Sequence, residues 1–207
     1  MTQTLIAALS AARIVPVVRT STAANAATAV AWLREEGFRI FELTMTTPGA
    51  LDLLRELARD PAITMGMGTV PDAAAARAAL DAGARFLVTP WVAPEVATES
   101  RRAGVICMLG AMTPSEVRAA ISAGADVVKV FPASSAGGPA HVKALRSVFP
   151  GALLCPTGGV EPHNAADYLA AGAAFVGIGG KLVDDSAITR GDSSIIRAAA
   201  RDALALT

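Results

Sequence analysis

Two residues carry reactive groups where a chain seldom puts them. Lys129 sits inside "DVVKVFPAS" (residues 126–134), a run that otherwise reads as a buried β-strand. Lysine is almost never fully buried without a partner or a chemical task. Glu42 is placed the same way inside "RIFELT" (residues 39–44). A closed apolar cavity disfavours an ammonium ion and favours the free amine, a nucleophile. Its natural target is a carbonyl carbon. The product is a Schiff base whose protonated imine draws electrons from the adjacent carbons. Such chemistry needs a proton shuttle. Glu42 is the one strand-embedded carboxylate expected to face inward, and a semi-buried glutamate can take and return protons near neutral pH.

Side-chain alternation along strands extends this group. In "VVKVF", Val127, Lys129 and Phe131 share a face while Val128 and Val130 take the other. The same rule aligns Ile40, Glu42 and Thr44; Leu153, Cys155 and Thr157; Val15, Val17 and Arg19; and Met65, Met67 and Thr69. If the apolar partners point outward, a lysine, a glutamate, an arginine and three threonines converge. The competing reading is a Lys129–Glu42 ion pair kept for structure alone. Such pairs stabilise weakly, because desolvation cancels much of the attraction. They also leave the other inward polar groups unexplained. Glycine pairs follow two late strands: Gly158 and Gly159 in "CPTGGV", Gly179 and Gly180 in "GIGGK". Backbone N–H groups there could cradle a phosphate. Arg19 could grip a carboxylate, and Lys181 could add charge to the phosphate or face solvent.

Positioning these groups requires a particular scaffold. One phrase recurs: "EEGFRIFEL", "DAGARFLVT", "RRAGVICML", "SAGADVVKV" and "AAGAAFVGI". Each is a helical stretch, a glycine suited to a helix end, and a short apolar run. Strands are expected at 14–19, 39–44, 63–68, 86–89, 105–109, 127–131, 153–157 and 174–178, each followed by a helical segment. Eight β-α units in series, repeating about every 20 to 27 residues, predict an α/β fold, a closed (β/α)8 TIM barrel. An open doubly wound sheet is the alternative, but no Gly-x-Gly-x-x-Gly follows the first strand. "MTQTLIAALSAARIVPVVR" reads as a short N-terminal helix leading into a strand rather than a signal peptide. Residues 1–207 are expected to form a single barrel domain, with a last helix near 192–204 packing across it.

Composition narrows the partners. Hydrophobic residues make up 53% of the 207 and charged residues 17%, with a mean hydropathy of +0.47. That is too apolar for disorder. No run of about 18 apolar residues escapes Gly, Pro or charge, so no membrane partner is expected. The apolar surplus points to a subunit interface. Lys+Arg and Asp+Glu balance at 18 each, with no basic tract, so no nucleic acid is expected. Cys107 and Cys155 read as reduced core residues of a cytoplasmic protein. With only His141 and His163, no transition-metal site is expected.

The motifs "FELTMTTPGA", "GMGTV", "VTP", "KVFPAS", "CPTGGV" and "GIGG" follow one another over nearly the whole chain. In order and spacing the chain resembles the 2-keto-3-deoxy-6-phosphogluconate (KDPG) and 4-hydroxy-2-oxoglutarate (KHG) aldolase family, which includes the phosphogalactonate aldolases. The resemblance implies a class I aldolase working without metal or other cofactor, as a homotrimer of barrels. Its substrate would be a 2-keto-3-deoxy sugar acid 6-phosphate, cleaved to pyruvate and glyceraldehyde 3-phosphate. It makes Lys129 the Schiff-base lysine and Glu42 the general acid/base. It places Thr69, Pro90, Phe131 and Thr157 in the substrate pocket, and Gly158, Gly159, Gly179 and Gly180 at the phosphate end. Two positions depart from the phosphogluconate pattern. Thr46 stands where an arginine usually holds the substrate carboxylate, and Lys181 stands where serine is usual. Arg19 ends strand one, where the phosphogalactonate branch also has arginine, and is expected to take over the carboxylate. Cleavage of an unphosphorylated acid to pyruvate and glyoxylate stays open, as does phosphogalactonate cleavage. So do a phosphate-binding barrel in which Lys129 only neutralises charge, and a sugar-acid sensor.

Overall fold

The computed structural model describes residues 2–206. Eight parallel strands alternate with helices: β1 Ile14–Val18, β2 Ile40–Thr44, β3 Thr64–Gly68, β4 Phe86–Val88, β5 Ile106–Ala111, β6 Val127–Val130, β7 Leu154–Pro156 and β8 Val176–Ile178. They pair in the order β7-β6-β5-β4-β3-β2-β1-β8. The ring closes between β7 and β8, where Thr157 bridges Gly177 and the Ala174 N–H donates to the Leu154 carbonyl at 2.9 Å. This is the (β/α)8 barrel that the repeated phrase predicts.

Local chemistry sets the connecting helices. α2 (Ala23–Glu36) starts at Thr22, whose hydroxyl accepts from the Asn25 N–H. α6 (Pro114–Ala123) opens with a full capping box between Thr113 and Glu116. The glycine of the repeated phrase closes α5 (Pro94–Ala103) at Gly104 and α6 at Gly124, both left-handed, with φ of 68° and 97°.

Alternation divides the core into two layers. Outward residues such as Phe41, Leu43, Leu109, Val128 and Val130 pack against the helices. Inward residues Val15, Ile40, Phe86, Val88, Ile106, Met108, Val127, Cys155 and Phe175 fill the barrel. Leu5, Ile6 and Leu9 of α1 (Thr2–Ala12) join the inner layer and cover the N-terminal end of the barrel. The helix that crosses the barrel is therefore α1, not the last one. α10 (Ser193–Leu204) lies in the outer ring beside α2 and α9 (Asp185–Thr189). Its Arg197 pairs with Glu35 and, at 3.0 Å, with Glu36; Arg201 reaches Glu36 at 3.3 Å. A helix carrying those charges suits the ring, whereas the apolar face of α1 suits the barrel mouth.

One strand turns the opposite face inward from the one expected. Met65 and Met67 of β3 pack outward, and Gly66 and Gly68 face the interior. The inward positions are taken up by neighbours: a Cβ on Gly66 would overlap the Phe86 ring, and one on Gly68 would overlap the Glu42 carboxylate. Gly66→Ala is expected to destabilise the barrel by about 1–3 kcal/mol through overpacking against Phe86. Urea unfolding checks this, and an unchanged midpoint would contradict the packing described.

Candidate active site

Lys129 and Glu42 come from β6 and β2, strands on opposite sides of the ring. Lys129 aligns with Gly110 on β5 and Cys155 on β7, and Glu42 with Val17 on β1 and Gly66 on β3. Their side chains cross the interior and meet: Lys129 Nζ donates to Glu42 Oε1 at 3.1 Å. The residues are 4% and 5% exposed, so the pair is almost fully dehydrated. Phe131, at the C-terminal end of β6, turns its ring toward the amine, with 5.6 Å from Nζ to the ring centroid. Cys155 lies alongside. Burial pushes its thiol up to about 12, although Lys129 and the Thr157 hydroxyl pull the other way. The thiol is therefore neutral at physiological pH and leaves Lys129 and Glu42 as the ionisable groups of the interior.

Above the pair, at the C-terminal rim, a cavity of about 440 Å³ opens between the ends of β1, β6, β7 and β8. Its lining includes Arg19, Phe131, Thr157, the glycine pairs 158–159 and 179–180, and Lys181. Seven of the expected substrate residues thus share one wall. Lys129 and Glu42 are not on that wall; Phe131, which is, links the cavity to the Lys129 amine. Gly158 and Gly159 are both left-handed, with φ of 90° and 75°. A turn of this kind suits backbone N–H groups that hold an anion.

Thr69 and Pro90 reach the rim differently. Thr69 is not on the cavity wall, and β3 alternation does not aim it inward. It leaves the strand with φ of 58°, rare for a β-branched residue, and its hydroxyl accepts from Arg19 Nη2 at 3.3 Å. Pro90 covers the rim through its backbone, which occupies the space a Cβ on Gly110 would need. Thr46 is exposed and hydrogen-bonds Thr44 at 3.1 Å, so no cation stands there.

Charge around the cavity is asymmetric. Neither Arg19 nor Lys181 has an ion-pair partner among the described residues. The two carboxylates on the same wall are engaged. Glu161 faces His163 at 3.3 Å. Asp184 caps α9, accepting from the Ser186 hydroxyl at 2.7 Å and the Ala187 N–H at 2.9 Å, and these bonds hold its carboxyl below the usual range. Alternation did not reveal Glu161 or Asp184, because both stand beyond the strand ends. The helix-start pattern of "VDDSAIT" could have marked Asp184. Among the described residues no His, Cys, Asp or Glu cluster could hold a metal.

A dry amine against a carboxylate, beside a cavity with free cations at the C-terminal rim, fits carbonyl chemistry on an anionic substrate. The profile of the KDPG and KHG aldolase family matches residues 5–199. The chain belongs to that family. It is therefore an aldolase, a carbon–carbon lyase. It is 34% identical to the 2-dehydro-3-deoxy-phosphogluconate aldolase of Pseudomonas aeruginosa, over 93% of this chain and 88% of that one. It is 37% identical to a probable 2-dehydro-3-deoxy-6-phosphogalactonate aldolase of Rhizobium meliloti, over 72% of each chain. The KDPG aldolase of Legionella pneumophila, solved with pyruvate captured as a covalent carbinolamine intermediate, superposes with a TM-score of 0.86 at 30% identity, covering 98% of both chains. No described helix of this aldolase is long and apolar enough to cross a membrane.

If the ion pair serves reactivity rather than stability, removing both charges together spares the fold. The double variant K129M/E42M is expected to keep its thermal midpoint or raise it, since apolar replacement of buried pairs is often neutral or stabilising by about 1–4 kcal/mol. Thermal melts check it, and a fall of several degrees would make the pair structural.

Proposed function

We propose that this aldolase cleaves a 2-keto-3-deoxy sugar acid 6-phosphate to pyruvate and glyceraldehyde 3-phosphate through a Schiff base on Lys129. The observation that carries the reading is the buried 3.1 Å contact between Lys129 and Glu42. Glu42 takes a proton from the Lys129 ammonium, and the amine attacks the C2 ketone. Glu42 returns that proton to the carbinolamine hydroxyl, which leaves as water to give a protonated imine and restores the carboxylate. Glu42, directly or through a water, removes the C4 hydroxyl proton. The C3–C4 bond breaks, its electron pair passes into the imine, and the aldehyde leaves. The resulting enamine is protonated at C3, and water releases pyruvate and restores the amine.

The rim supplies the two anion sites. Arg19 and Thr69 hold the C1 carboxylate in place of the cation lacking at Thr46. Gly158, Gly159, Gly179 and Gly180 offer N–H groups to the phosphate, with Lys181 adding charge. Pro90, Phe131 and Thr157 shape the space between. A phosphogalactonate substrate is the second reading. It is favoured by the presence of threonine at position 46 together with arginine at position 19, and by the Rhizobium meliloti relative. Cleavage to glyoxylate is the third, and it would leave the glycine pairs and Lys181 without a ligand.

The whole chain acts as one barrel unit, in the cytoplasm, and assembles as a homotrimer. The apolar composition supports the assembly, as do Trp91 and Met112, 48% and 38% exposed beside the rim. Light scattering is expected to give three times the chain mass; a monomer would reject the trimer.

Borohydride with pyruvate is expected to fix a covalent adduct on Lys129, read by peptide mass. An unmodified lysine would falsify the imine mechanism. Pyruvate release from a panel of 2-keto-3-deoxy acids, with and without phosphate and of both C4 configurations, identifies the substrate. Equal turnover without phosphate would overturn the phosphate site. In the same assay Arg19→Ala is expected to raise KM by about 10- to 100-fold, the loss of one or two charge-assisted hydrogen bonds.

A further inference from the structure

We infer that Gly68 is a positioning residue for the reaction: its missing side chain is the space in which the Glu42 carboxylate meets Lys129. The inference rests on the proposed roles of Lys129 and Glu42 and adds to them a residue that neither touches substrate nor carries a functional group. Gly68 is the last residue of β3, and it faces the interior. A Cβ there would overlap Glu42 Oε1 and lie 2.7 Å from the carboxyl carbon and 2.8 Å from Cγ. All are closer than the 3.0 Å that real Cβ contacts essentially never fall below. Oε1 is the same oxygen that accepts from Lys129 Nζ at 3.1 Å.

Backbone conformation does not ask for glycine here. Unlike the helix-ending glycines, Gly68 is not in the positive-φ region. Glycine weakens a strand, because it has no side chain to pack and more backbone freedom to lose. Its presence is therefore explained by space, and the group filling that space is the carboxylate itself. Glu42 cannot simply swing aside. It is 5% exposed, enclosed by barrel residues, and tied at Oε1 to the only buried lysine among the described residues. An added methyl group must push the carboxylate away from Lys129 or push β3 away from β2. A misplacement of about 1 Å is enough to cost about 100-fold in rate.

Gly66, two residues earlier on the same face, has a different neighbour. Its missing Cβ makes room for the Phe86 ring, in the apolar layer. The two inward glycines of β3 therefore serve two layers, Gly66 the packed core and Gly68 the reacting pair.

The test compares wild type, Gly68→Ala, Glu42→Ala and the double variant. Exchange of the pyruvate methyl protons for deuterium, followed by NMR, reads proton transfer at the carbon that becomes C3. Borohydride trapping reads the imine, and thermal melts read the fold. Gly68→Ala is expected to lose methyl exchange by about 100-fold or more, as loss of a general acid/base does. It still forms the trapped adduct. In the Glu42→Ala background the same methyl group is expected to change exchange by less than about 2-fold, because the group it displaces is gone. Wild-type exchange in Gly68→Ala, or losses that multiply in the double variant, would overturn the positioning role. Should Gly68→Ala not fold, the double variant, with the methyl in the vacated space, is expected to fold with the midpoint of Glu42→Ala. A double variant that also fails to fold overturns the inference. Wild type that neither traps nor exchanges pyruvate defeats the Lys129 mechanism itself, a result distinct from any of these.

Discussion

The barrel is arranged around one constraint: a primary amine and a carboxylate must meet in a space without bulk water. Taking both charges out of water costs several kcal/mol per ion, and only close contact offsets that cost. β2 and β6 lie on opposite sides of an eight-stranded ring, so the contact spans the barrel axis. Two long side chains are needed to close it, and Glu42 and Lys129 are long enough. Closure from below by α1 and from the sides by the outer helices leaves the C-terminal rim as the way in. That is where the cavity, the glycine pairs and the unpaired cations stand.

The same constraint explains where the barrel lacks side chains. An eight-stranded interior is just wide enough for inward side chains to fill. With Glu42 and Lys129 occupying the centre, neighbouring strands must yield. Gly66 and Gly68 on β3, Gly110 on β5 and Gly177 on β8 all face inward without positive φ. Each would collide with a neighbour if it carried a Cβ: Phe86, Glu42, the Pro90 backbone and Thr157 Oγ1, the last at 2.5 Å. Polar residues on some strands and glycines on others are two halves of one packing solution. Swapping a single glycine for alanine is therefore felt by the residue opposite rather than by its own strand.

This division also marks what the sequence could and could not disclose. Lys129 and Glu42 were legible because each stands among apolar residues whose alternation fixes its direction. The barrel was legible from the repeated helix–glycine–strand phrase. Which face of β3 points inward was not: methionine and glycine both tolerate either face, and only the contents of the neighbouring strands decide it. The roles of α1 and α10 were likewise set by partners distant in sequence: for α1 the inner layer that includes Ile106 and Phe175, for α10 Glu35 and Glu36. Glu161 and Asp184 stand in the loops that follow β7 and β8, where strand alternation says nothing.

Thr69 carries the point furthest. Alternation brought it to the site by assigning the wrong face to β3, yet it reaches the site through a left-handed turn at φ of 58°. For a β-branched residue that conformation costs on the order of 1–3 kcal/mol and persists only where its surroundings impose it. Here it directly follows Gly68, the inward residue that ends β3. If β3 continued as a regular strand, residue 69 would face outward, away from Arg19. Breaking the alternation after Gly68 returns a hydroxyl to the rim, where it receives the Arg19 guanidinium. Space for the carboxylate at position 68 and a polar group at position 69 are otherwise incompatible in an alternating strand, and the strained turn reconciles them.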